Sequence, residues 1–338
     1  MKKAGIIFFI IIILLTGFIR VYALLQPVKN QGGSPEGIWI RQGNTSHVIA
    51  ERLKEKNLIR SSTLFRLIVS ITGKDQQLKA GYYEIKPSNS AWEIISILTD
   101  GRIATFKFTI PEGYTVKEIA KKLSKNTFHS EEELISAAKA KYDRSYLPPL
   151  SKEIKYPIEG FLYPNTYILP RESEPKQIYN IFLDQFEKVW FKKLNNEVKQ
   201  NSDYNINDII TIASLIEEEA KLDNENKLIS AVIHNRLNRK MYLQIDATIQ
   251  YSLPKRKERI LYKDLKIESH YNTYLNYGLP VGPICNPGDE AIRAALNPSD
   301  VDYLFYFALN DGSHKFTRSY KEHLESQQEL KKENKEED

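Results

Sequence analysis

The stretch IRQGNTSHVIAERL, residues 40–53, recurs without gaps as IPEGYTVKEIAKKL, residues 110–123. Gly43 matches Gly113 and Thr45 matches Thr115, and a weaker copy, IKPSNSAWEIISIL, lies between them at residues 85–98. Each copy has an apolar strand end, a turn, and a Ser or Thr that can cap a helix with an apolar stripe. The repeat therefore predicts small strand–turn–helix units and an α+β fold.

Two of the copies also carry the signature of a helix capping box. Thr115 is followed three residues later by Glu118, and Ser90 is followed by Glu93. Strand–turn–helix units of this kind resemble LysM-type modules, which bind cell-wall glycan, and we expect a LysM-like α+β module at residues 38–125. A packing unit that binds no ligand is an equally good interpretation, because the match is short.

The first residues predict a membrane anchor. Residues 4–25, AGIIFFIIIILLTGFIRVYALL, contain Arg20 as their only charge, and about 20 apolar residues span a bilayer. Lys2 and Lys3 favour a cytoplasmic N-terminus, which would place the rest of the chain outside. A cleaved signal peptide is the competing interpretation, although no A-x-A site follows. We expect a single-pass protein of the inner or plasma membrane.

Composition limits the function classes. The 338 residues suffice for two or three domains, and 41% hydrophobic with 27% charged residues is typical of a folded protein. The net charge of +5 is mild, and no nucleic-acid-binding signature accompanies it. A single cysteine, Cys285, excludes a cysteine-based zinc site, and the six histidines lack metal-site spacing. We therefore expect no metal, no cofactor and no nucleic-acid partner.

The chain divides by composition into five parts. Residues 1–25 are the cytoplasmic N-terminus and anchor, 26–37 a linker, 38–125 the module, 126–323 a mixed α/β catalytic domain, and 324–338 a charged tail expected to fray. Within the large domain, apolar periodicity predicts helices over residues 177–193, 208–220 and 224–238, and another from about Asp289. VDYLFYFAL, residues 301–309, predicts a buried strand.

The stretch TIASLIEEEAKLD, residues 211–223, ends an apolar helix with three glutamates. At about 100° per residue, one apolar stripe is formed by Ile209, Ala213, Ile216 and Ala220. Glu218 points away from that stripe and is predicted to be solvated, whereas Glu217 and Glu219 lie on its two edges. Partial burial at an edge raises the pKa of a carboxylic acid.

A raised pKa suits a general acid at a glycosidic bond, because the acid must hold a proton near neutral pH. Salt bridges from Glu217 and Glu219 to neighbouring cations such as Lys221 or Arg236 are the simpler explanation by geometry alone. Periodicity does not separate Glu217 from Glu219.

ASLIEEE, residues 213–219, resembles the A-S-[IL]-[IV]-E-x-E motif of the MltG/YceG-like family of endolytic murein transglycosylases. Other segments resemble family motifs as well: EGFLYPNTY (159–167), VIHNRL (232–237), LQIDATIQY (243–251), YNTYLNYGLPVGPICNPG (271–288) and residues 312–323. Val281 replaces a usual Pro and Ile245 a usual Ser or Thr, both at side positions. Several motifs that occur in the same order as in the family are far more specific evidence of resemblance than any single motif.

The resemblance implies an enzyme, a lytic transglycosylase, with Glu217 as its catalytic acid/base. Such enzymes cleave the bond between N-acetylmuramic acid and N-acetylglucosamine without water. The muramic acid's own 6-hydroxyl attacks C1 and leaves a 1,6-anhydro end. Because the nucleophile belongs to the substrate, one acid/base residue can suffice.

Polar residues of the matching motifs are candidates for positioning the sugars: Asn235, Arg236, Gln244, Asp246, Tyr271, Asn272 and Asn286. For Asn272 and Asn286, turn capping is an equally good interpretation. Arg236 could bind a carboxylate of the muramyl peptide or pair with a neighbouring acid. Glu159 is expected to be a structural hydrogen-bond partner and not a second acid.

The predicted substrate is the glycan of peptidoglycan, cut within nascent strands so that elongation ends. The predicted protein partners are cell-wall synthesis and elongation proteins. One alternative is a non-catalytic cell-wall-binding scaffold. Another is a true muramidase, which would need a second carboxylate near Glu217, with Asp246 and Glu219 as the candidates.

Overall fold

The structure, a computed structural model, describes residues 2–201 and 204–336. Unit 1 takes in the chain up to Phe106 together with Ile168–Glu172, and unit 2 takes in Lys107–Tyr167 and the chain from Ser173 onward. Met1 of the predicted anchor segment and the last two residues of the predicted tail lie outside the described residues. Both units contain helices and strands, so the predicted α+β class is confirmed.

Unit 1 contains four helices and a two-stranded sheet. In chain order these are α1 (Lys2–Leu25), β1 (Glu36–Ile40), α2 (Ser46–Glu55), α3 (Ser62–Ile71), β2 (Gly81–Ile85) and α4 (Ala91–Asp100). The strands are antiparallel, with Ile38 opposite Tyr83. Their apolar faces pack with α2, α3 and α4 around fully buried Leu53, Phe65 and Ile94. Unit 1 therefore has its own hydrophobic core.

The predicted apolar helix is present. Its segment Gly5–Leu25 has 21 residues and a mean hydropathy of 2.6, and among the described residues no other helix is long and apolar enough to cross a membrane. The predicted linker, residues 26–37, is partly ordered against unit 1. Arg60 donates a hydrogen bond to the carbonyl of Pro27 (2.7 Å), and β1 already begins at Glu36.

All three copies of the repeat form a strand, a turn and a helix, as predicted. The helices are capped by Thr45, Ser90 and Thr115, and the capping boxes with Glu93 and Glu118 are both formed. The last copy does not belong to unit 1, which ends at Phe106. The helix of that copy, which lies inside the predicted module of residues 38–125, packs within unit 2.

Unit 2 is mainly helical, with short two-stranded sheets. The elements from here on are β3 (Thr105–Ile110), α5 (Val116–Ser124), α6 (Glu131–Ala138), β4 (Asn165–Pro170), α7 (Pro175–Phe186), α8 (Lys192–Asn201), α9 (Ile206–Glu219), α10 (Asn226–Asn238), α11 (Asp246–Ser252), α12 (Asp289–Leu296), β5 (Phe305–Ala308), β6 (His314–Thr317) and α13 (Tyr320–Glu336). Residues 105–106 of β3 and 168–170 of β4 belong to unit 1. β3 pairs with β4, and β5 pairs antiparallel with β6. The catalytic domain that the sequence predicted as mixed α/β thus contains both helices and strands.

The predicted helices of unit 2 are present with shifted ends. α7 continues through a π-helical turn, Glu187–Phe191, into α8. The predicted buried strand over residues 301–309 is shorter, spanning Phe305–Ala308, and it is half-exposed because its two-stranded sheet leaves one face uncovered. The tail expected to fray begins within α13, which extends to Glu336.

α9 lies at the centre of unit 2. Asn205 caps it in a capping box with Asp208. α9 packs against α10, α11 and α12, and every residue from Ile209 to Ile216 is buried. Even its polar positions face protein, since the Ser214 hydroxyl donates to the carbonyl of Thr211 (2.7 Å). The single apolar stripe inferred from periodicity is therefore too narrow a description of this helix.

Candidate active site

The three glutamates end α9 in three different environments. Glu217 accepts a hydrogen bond from the backbone N–H of Gly288 (3.0 Å) and is partly buried. Burial raises the pKa of Glu217, and the charges of Glu112, Glu218 and Asp223 raise it further. Among the described residues no cation lies within ion-pair distance of it. Glu217 thus occupies an environment that favours its protonated form.

Glu218 is held by a cation. Its carboxylate lies 3.1 Å from the guanidinium of Arg256, and its side chain is only 12% exposed. The predicted solvation of Glu218 is therefore wrong, because α9 is covered on nearly all sides. Burial raises the pKa of Glu218, whereas the charge of Arg256 and its hydrogen bond lower it.

Glu219 lies on the opposite edge of α9. Its carboxylate accepts a hydrogen bond from the hydroxyl of Tyr306 (2.8 Å). Burial raises the pKa of Glu219, the Tyr306 hydrogen bond lowers it, and the charge of Asp246 raises it. The two edge glutamates that periodicity left equivalent are therefore distinct, since only Glu217 faces the Gly288 loop.

A turn from the last repeat copy covers Glu217. Gly113 has φ +74°, and a Cβ there would lie 3.8 Å from the Cγ of Glu217 and 3.9 Å from a carboxylate oxygen of Glu218. The Gly113 N–H donates to the carbonyl of Asn286 (2.9 Å), and the Asn286 N–H donates to the carbonyl of Tyr114 (2.9 Å). These paired bonds fix the turn to the 271–288 loop.

Glu112 was not among the residues predicted for the site. Its carboxylate lies so close to Gly288 that a side chain at Gly288 would collide with it. The same Gly288 donates its N–H to Glu217. The available signal was the difference between repeat copies, since Glu112 stands where the first copy has Gln42.

Glu159 is buried behind the site, with 1% exposure. It accepts hydrogen bonds from the N–H of Val116 (2.9 Å), the hydroxyl of Tyr251 (2.9 Å) and the amide of Asn286 (3.2 Å). Burial raises the pKa of Glu159 to about 8, against the lowering effect of these donors. The contacts join α5, α11 and the 271–288 loop, which fits the structural role expected for Glu159.

Three of the predicted sugar-positioning residues are buried. Tyr271, Asn272 and Asn286 are at most 1% exposed. The Asn272 amide donates to the carbonyls of Leu265 (2.9 Å) and Ile267 (2.8 Å). Direct contact with a sugar does not fit this burial, and the turn-capping alternative fits the bonds that Asn272 makes.

Asn235 and Arg236 hold the segment before and within β5. The Asn235 amide donates to the carbonyl of Val301 (2.8 Å), and the guanidinium of Arg236 donates to the carbonyl of Leu304 (2.6 Å). Arg236 also stacks on the ring of Phe305, 5.1 Å from its centroid. Unit 2 itself therefore binds Arg236 through its Nε and one terminal nitrogen.

Gln244 and Asp246 are exposed, unlike the other predicted contacts. Gln244 has φ +51°, and Asp246 accepts a hydrogen bond from the hydroxyl of Tyr274 (2.6 Å). In the same part of the chain the rings of Tyr242 and Tyr277 stack with centroids 3.7 Å apart. This surface offers amide, carboxylate and aromatic groups to a ligand.

A cavity of about 1170 Å³ lies within unit 2 on the Glu218 side of α9. Its walls come from α5, the 150–157 loop, α11 and the segment that follows α11. Glu218 and Arg256 both line it. Glu217 does not line the cavity, but its neighbour Glu218 does, and both glutamates lie beside the Gly113 turn.

Comparison with known proteins gives one consistent result. The model of the YceG-like family matches residues 38–329. An endolytic murein transglycosylase from Bacillus subtilis (strain 168) is 34% identical, with 90% of this chain and 88% of that protein covered. One from Streptococcus pneumoniae (strain R6) is 28% identical over 95% of this chain, which spans 64% of that relative.

A solved structure agrees with the sequence relatives. The 2.6 Å crystal structure of a YceG-like protein from Listeria monocytogenes is 32% identical in sequence. The match covers 86% of this chain and 99% of the Listeria chain. The TM-score between the two is 0.59. From the extent of the family match and the identity to the Bacillus protein, the chain belongs to the YceG-like family.

Proposed function

We propose that this chain is an endolytic murein transglycosylase that cuts glycan strands of peptidoglycan and leaves 1,6-anhydro-muramyl ends. The observation that carries the proposal is the setting of Glu217. This glutamate is partly buried, is held by one backbone N–H and has acidic neighbours, and no cation of the described residues lies within ion-pair distance of it. It occupies the first glutamate position of a motif that resembles the family's. The names of the relatives give the substrate class.

Glu217 is the acid/base because, among the described residues, it is the one of the three glutamates whose carboxylate makes no side-chain hydrogen bond or ion pair. Glu218 pairs with Arg256, which lowers its pKa against the raising effect of burial. Glu219 is bound to Tyr306 on the other edge of the helix. A general acid works best when its pKa lies near the working pH, and burial among like charges moves Glu217 in that direction.

The reaction needs one proton donor that later becomes an acceptor. Glu217 gives its proton to the glycosidic oxygen as the bond from C1 of the muramic acid to that oxygen breaks. The 6-hydroxyl of the same sugar forms the new bond to C1, and its proton goes to the Glu217 carboxylate. No water enters the product, and the glutamate returns to its starting state.

Other predicted features extend the proposal. Exposed Gln244 and Asp246 contact sugars of the bound strand. The N-terminal helix anchors the chain with its N-terminus in the cytoplasm and unit 2 outside, next to partners from cell-wall synthesis and elongation. Unit 1 serves as a LysM-like glycan-binding module, which predicts that replacing exposed Trp39 and Trp92 by Ala reduces co-sedimentation with insoluble peptidoglycan. Unchanged sedimentation would remove this part of the proposal.

Mass spectrometry of products tests the reaction. The full chain in detergent is incubated with uncross-linked glycan strands, beside the Glu217→Gln variant. We expect muramyl ends one water lighter than reducing ends from the wild type, and none from the variant. If the folded wild type leaves the strands intact, the result would favour the alternative of a non-catalytic cell-wall-binding scaffold.

Ordinary reducing ends would instead identify a muramidase. That reaction needs a second carboxylate near Glu217. Of the candidates weighed from sequence, Glu219 binds Tyr306 and Asp246 binds Tyr274, so both are engaged elsewhere. Glu112, beside Gly288, would be the residue to replace next.

A further inference from the structure

The cavity beside Glu218 is lined by an excess of positive charge. Seven cationic and three acidic residues face it. Six of the cations are lysines: Lys117, Lys121, Lys139, Lys152, Lys155 and Lys255. Gathering like charges around one cavity costs free energy unless a ligand of opposite charge offsets it.

The lysines are not neutralised by acidic residues of the chain. Among the described residues, Arg256 forms an ion pair in this cavity, with Glu218, and none of the six lysines lies within ion-pair distance of a carboxylate. Lys117 donates to the carbonyl of Pro254 (3.0 Å), and Lys155 lies over the ring of Tyr251, 4.6 Å from its centroid. Their charges remain available to an anionic ligand.

The cavity also has apolar walls. Leu150, Ile154, Pro157, Leu253 and Ile284 line it together with the lysines. A phosphate or another inorganic anion has no apolar groups to pack against these side chains. A short peptide has methyl and methylene groups between its carboxylates. The volume of about 1170 Å³ is large enough for several residues.

We propose that this cavity binds the stem peptide of the muramic acid held at Glu217, with the lysines contacting its free carboxylates. The proposal rests on the proposed function for its choice of substrate. Its geometry rests on Glu218, which lines the cavity while flanking the same Gly113 turn as Glu217. Glu217 is not among the residues that line the cavity, so a peptide on a muramic acid at Glu217 reaches the cavity past Glu218, the next residue of α9.

The cavity lysines are better placed than Arg236 to bind a carboxylate of the muramyl peptide, the role that the sequence suggested for Arg236. Recognition of a muramyl carboxylate is better served by cations that face open space than by a guanidinium bonded to the carbonyl of Leu304. Lysine ammonium groups are strongly hydrated point charges on flexible stems, and they adapt to carboxylates at variable positions. Arg256 keeps its bond to Glu218 and serves as part of the wall.

A binding experiment tests the proposal without requiring turnover. The full chain carrying Glu217→Gln is titrated with a disaccharide tetrapeptide bearing free carboxylates, and with the same compound carrying carboxamides. A second protein adds the cavity triple variant Lys121→Gln, Lys152→Gln and Lys255→Gln; all three lysines are exposed, so folding should be kept. The matched control is Lys107→Gln, Lys192→Gln and Lys315→Gln, exposed lysines of unit 2 that do not line the cavity.

We expect the triple variant to weaken binding of the carboxylate compound about tenfold, with the loss shrinking at high salt. The control variant should bind as tightly as the parent, and the carboxamide compound should bind weakly to all three proteins. Equal affinity for the carboxylate and carboxamide compounds, or no effect of the triple variant, would overturn the proposal. Tighter binding of inorganic pyrophosphate than of the muramyl peptide would overturn it too.

Kinetics separates this proposal from the proposed function. With Glu217 intact, the cavity triple variant should raise KM on peptide-bearing strands about tenfold and leave kcat nearly unchanged. On strands whose peptides have been removed by an amidase, it should match the wild type. If the wild type cuts neither substrate, the proposed reaction fails while the titration still decides the peptide site.

Discussion

Two turns of the same repeat differ in what they face. Gly43 has φ +83° and Gly113 has φ +74°, and each turn leads into a helix capped by a threonine, Thr45 or Thr115. A Cβ added at Gly43 would meet no atom within 4 Å, whereas one at Gly113 would touch Glu217 and Glu218. The repeat determines the local backbone, and the packing of unit 2 turns one copy into part of a site.

The helices behind the turns differ in the same way. In the first copy, the hydroxyl of Ser46 at the start of α2 donates a hydrogen bond to the carboxylate of exposed Asp75 (2.5 Å). In the last copy, the N–H of Val116 at the start of α5 binds the buried carboxylate of Glu159 (2.9 Å). The first contact is made by a side-chain hydroxyl, whereas the second is made by a backbone N–H at a helix N-terminus, which favours a carboxylate. The second contact links its helix to the candidate active site.

The largest expected effect comes from the glutamate that the last turn covers. Glu217→Gln should lower kcat on glycan strands by about 10³-fold, since general acid–base catalysis contributes a factor of that order. The thermal midpoint should change little, because the amide can still accept the Gly288 N–H bond. Product release followed by mass spectrometry measures the rate.

Glu218→Gln is the matched control for that experiment. It removes the ion pair with Arg256 but leaves the proton donor, so its loss of rate should be far smaller. If Glu218→Gln were as inactive as Glu217→Gln while remaining folded, the assignment of Glu217 would be wrong.

Glu159 should give the next largest effect, on stability. Its folded-state pKa of about 8 lies above that of an unfolded glutamate, so the folded chain holds the proton more tightly. Its contribution to stability is therefore complete below about pH 4.5 and is lost as the pH rises through about 8, at a rate of at most about 1.4 kcal/mol per pH unit. Glu159→Gln, which stays neutral, should remove this pH dependence.

Urea unfolding of wild type and Glu159→Gln at pH 5, 6.5 and 8 measures the difference. The free energy of unfolding of the wild type should fall relative to that of the variant as the pH rises. Asp75→Asn, which alters the exposed carboxylate bound by Ser46 at the start of α2, serves as the control and should follow the wild type. A constant difference between wild type and Glu159→Gln across this range would show that Glu159 does not titrate there.

The turn glycines themselves provide the most direct comparison. Gly43→Ala and Gly113→Ala should each cost about 1 kcal/mol of unfolding free energy, because both positions have positive φ. Gly113→Ala should also lower activity by about tenfold, since its Cβ contacts the site glutamates and displaces them slightly. Gly43→Ala should leave kcat unchanged. Equal activity losses in both variants would mean that the Gly113 turn has no special place at the site.

Sequence alone predicted the local elements of this chain better than their surroundings. The repeat copies, their caps at Ser90 and Thr115 and the helix that carries the glutamates are set by nearby residues, and all are present. Which unit the last copy joins depends on contacts with residues far along the chain, such as those of Asn286. The repeats could therefore be predicted from local sequence, whereas the division of the chain at Phe106 depends on packing.

The candidate site follows the same division. Periodicity placed Glu217 at an edge of its helix, but the burial of Glu218 depends on contacts such as that with Arg256, 38 residues along the chain. The predicted sugar contacts came from motif matches, and a motif does not distinguish exposed Asp246 from fully buried Asn272. Glu112 could be noticed only by asking where two repeat copies differ.

The smallest expected effect concerns that difference. The charge of Glu112 raises the pKa of Glu217, so Glu112→Gln should lower it. Because the proton donor must be protonated, activity is lost as the pH rises through its pKa, and the alkaline limb of the kcat profile should move to lower pH by less than one unit. Gln42→Glu in the first copy adds a charge at the equivalent turn and should leave the profile in place. If the pH profile moves equally in both variants, the cause is the net charge of the protein and not the contact of Glu112 and Glu217 with Gly288. If it moves in Glu112→Gln alone, the last repeat copy helps to set the pKa of the catalytic acid.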